Sequence, residues 1–86
     1  MFFTYILFSD TLNKYYVGHT YDVQERLKRH NAGEGQFTKN GVPWELKYTF
    51  ECKTRSEAMI LENKIKKRGV KRFLQDITVR GVAQPG

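Results

Sequence analysis

Two short strand-like segments separated by a turn constrain the fold of this chain more than any other feature. Residues 3–8 and 14–20 alternate aromatic, aliphatic and β-branched side chains, which is typical of paired strands. The five residues between them, 9–13, are rich in turn formers. The sequence therefore predicts an antiparallel hairpin, and its two strands carry Tyr5 and Tyr16.

A short helix is predicted directly after the hairpin. Asp22, with Glu25 three positions later, is a helix-start signal, and the segment 31–33, Asn-Ala-Gly, is a helix end. Val23 and Leu27 form an apolar stripe on this helix. We expect that stripe to dock the helix on the hairpin.

A second stripe of the same helix carries polar residues that could take part in catalysis. Asp22, Arg26 and His30 are spaced four residues apart, so they lie on one side of the helix. Taken alone, Arg26 and His30 can be solvated helix residues that pair with Asp22. Because Tyr16 comes just before this helix, we favour a catalytic role for Arg26 and His30.

The middle of the chain predicts a loop and a third strand. Residues 32–43 form a Gly-rich polar loop that carries the basic Lys39. This loop is either a plain connector or a segment that contacts a phosphate backbone. Residues 44–51 alternate strictly, which predicts a half-buried strand that completes a three-stranded sheet. Trp44 is expected in the core, and stacking on a base is its alternative role. The predicted inner face of this strand consists of Trp44, Leu46, Tyr48 and Phe50.

A second helix is predicted to follow a capping box at residues 54–57, Thr-Arg-Ser-Glu. Glu62 falls at the edge of the buried face of this helix. Its carboxylate is either a border group that pairs with Lys66 or an inward-facing ligand. The apolar stripe of this helix consists of Ala58, Leu61 and Ile65.

The C-terminal part is strongly basic. Gly69 is expected to separate the second helix from a third one that packs through Val70, Phe73, Leu74 and Ile77. A charge run is usually a solvated face, but a run without acids also attracts phosphates, so we predict a patch that positions a nucleic-acid backbone. The folded domain is expected over residues 1–78, and residues 79–86 are expected to form a disordered tail. The cations of the predicted patch are Lys64, Lys66, Lys67, Arg68, Lys71 and Arg72.

Composition narrows the class of partner. The chain has 86 residues, a formal net charge of +6 and a sequence pI near 9.6. This size indicates one domain with a shallow site, and this charge favours a polyanion such as nucleic acid. No segment is long and apolar enough to span a membrane. The single Cys52 excludes an internal disulfide, and the expected location is the cytoplasm.

These motifs, in this order, resemble the GIY-YIG nuclease family. Phe3-Thr4-Tyr5 corresponds to the first triad and keeps only its tyrosine, while Tyr16-Val17-Gly18 is close to the second. The family's helical arginine falls on Arg26, with His30 one turn later, and its metal-binding glutamate falls on Glu62. The resemblance covers residues 3–77 and is greatest to small single-domain bacterial proteins. It implies an α/β (α+β) fold, in which helices flank a three-stranded antiparallel sheet.

The resemblance also implies an activity, that of a metal-dependent DNA endonuclease. Tyr16 is then the general base, Tyr5 orients the water or shares its proton network or does both, and Arg26 holds the scissile phosphate. Glu62 binds one Mg²⁺ or Mn²⁺ ion. His30 shuttles a proton, contacts phosphate or packs.

The resemblance leaves the substrate and the partners open. The implied partner is DNA, branched or flapped in the context of repair or recombination, with a partner protein or a homodimer supplying specificity. The alternative function is a nucleic-acid-binding module that keeps the same basic surface and lacks useful catalysis.

Overall fold

The computed structural model of the chain describes residues 1–36 and 38–83, and the side chains of residues 1–36 and 38–77. It is an α+β domain, as the sequence predicts. In chain order its elements are β1 (Phe2–Ser9), β2 (Lys14–Thr20), α1 (Val23–Asn31), a 3₁₀ turn (Lys39–Gly41), β3 (Trp44–Cys52), α2 (Arg55–Arg68) and α3 (Val70–Ala83).

The three strands form one antiparallel sheet in the order β2-β1-β3, so β1 is central. Tyr5 lies opposite Gly18, and Leu7 lies opposite Tyr16. Strand β1 is buried on both faces, because helix α1 covers one face of the sheet and helices α2 and α3 cover the other. This register places both tyrosines on the α1 face.

Each face of the sheet has its own core. On the α1 face, buried Tyr5, Leu7 and Trp44 are joined by Val23 and Leu27, the predicted docking stripe of α1. Trp44 is only 4% exposed, so it is a core residue and has no open ring face for a base. The core of the other face contains the predicted stripes of the last two helices. Its members include Ile6, Val17, Ile65, Leu61, Val70, Phe73 and Leu74.

Strand β3 departs from the prediction of a single inner face. Leu46 pairs with Leu7, whereas Tyr48 pairs with Ile6, so one extra residue of β3 is inserted at this point. Such a bulge exchanges the two faces of a strand, because side chains alternate with a period of two. Trp44 and Leu46 therefore pack on the α1 side, while Phe50 packs with α2 and α3. Tyr48 is 40% exposed and stacks on Phe50.

The helix boundaries agree with the predicted signals. Asp22 Oδ1 accepts a hydrogen bond from the Glu25 backbone N–H at 3.0 Å, and Thr54 Oγ1 accepts one from the Glu57 backbone N–H at 3.1 Å. Gly69 separates α2 from α3 with φ = +91°, a conformation that glycine adopts easily.

Helix α3 extends to Ala83, five residues into the segment for which the sequence predicts a disordered tail. A helix that is already nucleated can continue through Gly81, because one glycine weakens a helix by only about 1 kcal/mol. Residues 84–86 of the predicted tail lie outside the described residues.

Within the described part of the chain, no helix has the length and apolar character needed to cross a membrane.

Candidate active site

A cluster of aromatic and polar side chains lies where β1, β2 and α1 meet. The centre of the cluster is Tyr5, which is 1% exposed and whose hydroxyl lies over Gly18 of the neighbouring strand. The Tyr5 hydroxyl is 3.2 Å from His30 Nε2, within hydrogen-bonding distance. His30 Nδ1 is in turn 3.0 Å from Thr38 Oγ1. A hydrogen-bonded row therefore runs from the sheet through α1 to the following loop.

The loop end of this row is held by the core tryptophan. Trp44 Nε1 donates a hydrogen bond to the Thr38 backbone carbonyl at 2.7 Å. Thr38 is 2% exposed, so its hydrogen bonds with His30 and Trp44 form away from bulk solvent. The row thus fixes the orientation of the His30 ring from both sides.

Tyr16 lies beside this row. Its ring centroid is 4.9 Å from that of His30, with an interplanar angle of 62°, and 6.4 Å from that of Tyr5. Tyr16 is half-buried, in contrast to Tyr5. The sequence brings the two tyrosines to the same site, and only Tyr16 also reaches the surface.

Arg26 contributes the positive charge of the site. The Nε atom of Arg26 is buried and has no hydrogen-bond partner among the described residues. His30, one turn later, is 7% exposed. The alternative of two solvated helix residues is therefore wrong, because the face of α1 that carries them packs toward the sheet. A shallow cavity of about 280 Å³ opens beside them, lined by Arg26, Arg29, His30, Glu34 and Gly35.

Glu62 approaches from α2. Its Oε1 atom accepts a hydrogen bond from His19 Nδ1 at 2.6 Å, and its Oε2 atom accepts one from Lys66 Nζ at 2.6 Å. The pair with Lys66 is the border role that the sequence offers as an alternative, but the Glu62 side chain is only 15% exposed. It is therefore also directed inward, onto strand β2.

The ionisation of the site follows from burial and from Arg26. Burial raises the pKa of Tyr5 to about 12, with the negative charge of ionised Tyr16 adding to the effect and Arg26 opposing it. Burial, and then the charge of Arg26, lower the pKa of His30. Tyr5 thus stays a neutral hydroxyl and His30 a neutral imidazole at physiological pH.

Glu62 stays ionised. Burial raises the pKa of its carboxyl, but the hydrogen bonds from Lys66 and His19 outweigh this and leave that pKa below its ordinary value. Glu62 also acts on Tyr5, whose pKa its negative charge raises. The carboxylate is therefore electrostatically coupled to the tyrosine cluster.

The donor chemistry suits a hard divalent cation. Ionised Glu62 offers one carboxylate, and one carboxylate completed by water and phosphate oxygens is a usual ligand set for Mg²⁺. The described residues contain no group of three or more His, Cys, Asp or Glu side chains arranged to hold a metal ion. Glu62 therefore fits a single-ion site that needs substrate to complete it, and does not fit a closed structural site.

The predicted basic patch is divided by the fold. Lys66 pairs with Glu62 beside the site, whereas Arg68 forms a double hydrogen bond to Asp76 of α3, at 2.9 and 3.1 Å. Lys64 and Lys67 line a groove between α2 and α3 together with Arg68. The cations of the patch and Lys39 are all exposed, and Lys39 lies in the 3₁₀ turn.

Two residues of this site were missed by the sequence analysis, His19 and Thr38. Alternation along β2 places Tyr16 and Gly18 on the α1 face, which leaves His19 on the face of α2. The hairpin pattern alone therefore carried a signal for His19. Thr38 lies in a loop without periodicity, and nothing in the sequence links it to His30.

Comparison with known proteins yields one family and several relatives. Residues 1–73 match the family described as the GIY-YIG catalytic domain. A UPF0213 protein of Halobacterium salinarum is 45% identical over 53 residues, which are 60% of this chain and 69% of the relative. A UPF0213 protein of Haloquadratum walsbyi is 47% identical over 53 residues, which are 59% of this chain and 58% of the relative. The second match thus spans less than two thirds of that relative's length.

A solved structure has a similar fold. The solution NMR structure of a UPF0213 protein from Bacillus halodurans superposes with a TM-score of 0.56 at 30% identity. The match covers 94% of this chain and 87% of the solved one. The similar proteins come from archaea as well as from bacteria, a wider range than the bacterial proteins that the sequence resembles.

Proposed function

Since this chain belongs to the GIY-YIG family, whose members are typically endonucleases, we propose that it cleaves phosphodiester bonds of DNA by metal-dependent hydrolysis. The observation that carries the proposal is the buried Arg26 Nε atom, which lacks a partner among the described residues. A buried guanidinium nitrogen without an acceptor is costly, so binding of an acceptor group at this position is favourable. Because Arg26 acts electrostatically on buried Tyr5 and lines an open cavity, the ligand that fits its planar charge is a phosphate group.

Arg26 binds and orients the scissile phosphate. A guanidinium presents a planar fork of N–H groups that matches two phosphate oxygens, and its pKa keeps it charged. Because the site is largely buried, this charge acts in a low effective dielectric and stabilises the charge that develops during hydrolysis. The adjacent cavity at His30 and Gly35 gives the phosphate access from solvent.

The two tyrosines have different roles. Tyr5, with a pKa raised to about 12, stays protonated, so its hydroxyl can donate a hydrogen bond but cannot accept the proton of the water, and its hydrogen bond with His30 fixes its position. Tyr16 is half-buried, so unlike Tyr5 it can reach a water molecule, and this makes it the better candidate for the general base. His30 then keeps the Tyr5 hydroxyl in place, and Thr38 holds the His30 ring in its orientation.

Glu62 holds the divalent ion, Mg²⁺ or Mn²⁺. The bound ion supplies charge neutralisation at the phosphate and at the leaving oxygen. The exposed cations Lys39, Lys64, Lys67, Lys71 and Arg72 position the DNA backbone without reading its sequence. Branched or flapped DNA, in repair or recombination, is the proposed substrate, with specificity from a partner protein or a second copy of the chain.

The test is cleavage of end-labelled branched, flapped, single-stranded and linear DNA with Mg²⁺, with Mn²⁺ and with EDTA. We expect metal-dependent cutting that Glu62→Gln and Tyr16→Phe each reduce by at least about 100-fold, in line with the loss of a metal ligand or a general base. DNA binding, followed by fluorescence anisotropy, should persist in both variants. Salt-sensitive binding with no cutting of any substrate would instead favour the inactive binding module.

A further inference from the structure

The two oxygens of the Glu62 carboxylate have partners of very different kinds. Oε1 accepts from His19 Nδ1, and His19 stands on strand β2 with its side chain 27% exposed. Oε2 accepts from Lys66 Nζ, and the Lys66 side chain is 53% exposed at the end of a flexible stem. Each contact is 2.6 Å long. One partner is part of the sheet, and the other can swing away into solvent.

We infer that His19 is a positioning residue for Glu62 and that Lys66 occupies the oxygen that a divalent ion takes. On this inference, which rests on the proposed function, His19 fixes Oε1 so that Oε2 is presented to the ion. Lys66 and the ion are then mutually exclusive partners of Oε2. When the ion binds, the Lys66 ammonium is released next to the site, where it can contact the DNA backbone.

The hydrogen-bond chemistry supports the role of His19. A carboxylate only accepts hydrogen bonds, so His19 Nδ1 carries the hydrogen in this contact. The glutamate has three side-chain torsions, and a second anchor is needed to keep its carboxylate in one orientation. Groups that hold a metal ligand in this way typically change metal affinity by 10- to 100-fold when they are removed. The 43 residues between His19 and Glu62 make this anchor a product of the sheet–helix packing.

Charge and exposure support the role of Lys66. An exposed ion pair between residues i and i+4 of a helix contributes little to stability, so it is easily exchanged for a stronger partner. A divalent cation carries twice the charge of the ammonium in the same place. The stem of Lys66 is long enough to move its charge from the carboxylate to a phosphate of bound DNA.

The experiment titrates Mn²⁺ into ¹⁵N-labelled protein at constant pH without DNA, and follows the paramagnetic broadening of amide signals around Glu62. We expect broadening centred on Glu62 in the wild type. His19→Ala should need at least about 10-fold more Mn²⁺ for the same broadening. His19→Asn should bind like the wild type, because its amide nitrogen can replace Nδ1 as the donor. Lys66→Met should need about two- to fivefold less Mn²⁺, because it removes the competitor and keeps the stem.

Lys47→Met is the matched control, because Lys47 is exposed and pairs with Glu45 on strand β3. It should leave the titration unchanged. Three results would each overturn the inference. His19→Ala could titrate like the wild type, Lys66→Met could bind Mn²⁺ no more tightly than the wild type, or the broadening could be centred away from Glu62. Lys66 is exposed, so its substitution tests the inference even if His19→Ala does not fold. The proposed function is judged separately by DNA cleavage, so cutting can persist while this inference fails.

Discussion

A Cβ atom added to Gly18 would lie 2.6 Å from the Tyr5 hydroxyl oxygen and 2.8 Å from the ring carbon that bears it. The glycine is therefore required by the close approach of the phenol head. Strand β2 passes directly beneath the residue that organises the site. The close approach of β2 to the head of Tyr5 thus depends on the absence of a side chain at position 18.

Gly18→Ala is expected to push the Tyr5 hydroxyl away from His30. We expect a loss of roughly 1–3 kcal/mol in the free energy of unfolding, the usual cost of an overpacked site. Because a displacement of about 1 Å near the reacting atoms can reduce a rate by about 100-fold, cleavage should fall by that order. Urea unfolding and cleavage kinetics on one substrate measure the two effects.

Gly69→Ala is the matched control for this substitution. Gly69 has φ = +91° and no atom within 4 Å of an added Cβ, so alanine there is strained and touches nothing. It should lower stability by about 1–2 kcal/mol and leave the cleavage rate per folded molecule unchanged. If both variants lose activity in proportion to stability alone, the specific role of the Gly18 contact is wrong.

Tyr5 should ionise well above the ordinary pKa of a tyrosine. Its pKa of about 12 results first from burial, and 70%-exposed Tyr21 provides the comparison. In a titration at 295 nm, Tyr5→Phe should remove amplitude near pH 12, whereas Tyr21→Phe should leave that amplitude in place. A loss of amplitude near pH 10 in Tyr5→Phe would show that Tyr5 ionises normally.

The same shift has a definite sign for stability. The folded protein keeps the Tyr5 proton to higher pH than the unfolded chain does, so this contribution to stability falls as pH rises from about 10 to 12. Far-UV circular dichroism should therefore show a smaller alkaline loss of urea resistance in Tyr5→Phe than in Tyr21→Phe.

His30 gives the opposite pH dependence. Burial and the charge of Arg26 lower its pKa in the folded protein, so the unfolded chain takes up a proton first as pH falls below about 6.5. The stability linked to neutral His30 is present above this pH and is lost on acidification. We expect the urea midpoint to drop between pH 7.5 and pH 5.5, and to drop less in His30→Gln.

The chain has two histidines, so the two imidazole signals in a proton NMR titration can be assigned from the His30→Gln spectrum. The signal that this variant lacks should titrate below pH 6.5. A His30 signal that titrates above this value would contradict the direction of the shift.

Thr38 should act through His30. Thr38→Val removes the hydroxyl that is 3.0 Å from His30 Nδ1 and leaves a buried polar nitrogen without its partner, which typically costs about 1–3 kcal/mol. The rate of DNA cleavage should fall together with the stability, because the His30 ring and the Tyr5 hydroxyl lose their orientation. Thr38→Ser keeps the hydroxyl and should retain most of the activity and the stability. Equal losses in both variants would point to a packing role for the threonine methyl group.

The sequence predicts this fold well where local patterns decide it. The hairpin, the caps at Asp22 and Thr54, and the break at Gly69 all depend on residues within a few positions of one another. The same patterns place Tyr5 and Tyr16 on neighbouring strands, so the tyrosine pair of the candidate site is predictable too.

The sequence fails where partners are distant or where a period breaks. The bulge of β3 moves Phe50 to the opposite face from Trp44, and strict alternation gives no sign of it. The contact of His19 with Glu62 joins β2 to α2, and the acid that pairs with Arg68 arrives from α3. Such contacts depend on how helices dock, which periodicity does not encode.

The basic patch should contribute to DNA binding most through Lys64 and Lys67, whose charges are exposed at the groove between α2 and α3. Lys64 and Lys67 line the groove between α2 and α3, whereas Arg68 in the same groove is held by Asp76. Each lost phosphate contact reduces the slope of log K against log salt by about 0.9. The double variant Lys64→Gln, Lys67→Gln should therefore lower that slope by nearly 2, and Arg68→Gln should lower it by less than 0.9, because the Arg68 charge is already neutralised.

Fluorescence anisotropy of a labelled duplex between 50 and 200 mM salt measures these slopes, with Lys47→Gln on strand β3 as the variant that should leave them unchanged. A larger effect for Arg68→Gln than for the double variant would mean that DNA displaces Asp76 and that the guanidinium is the main phosphate contact of the groove.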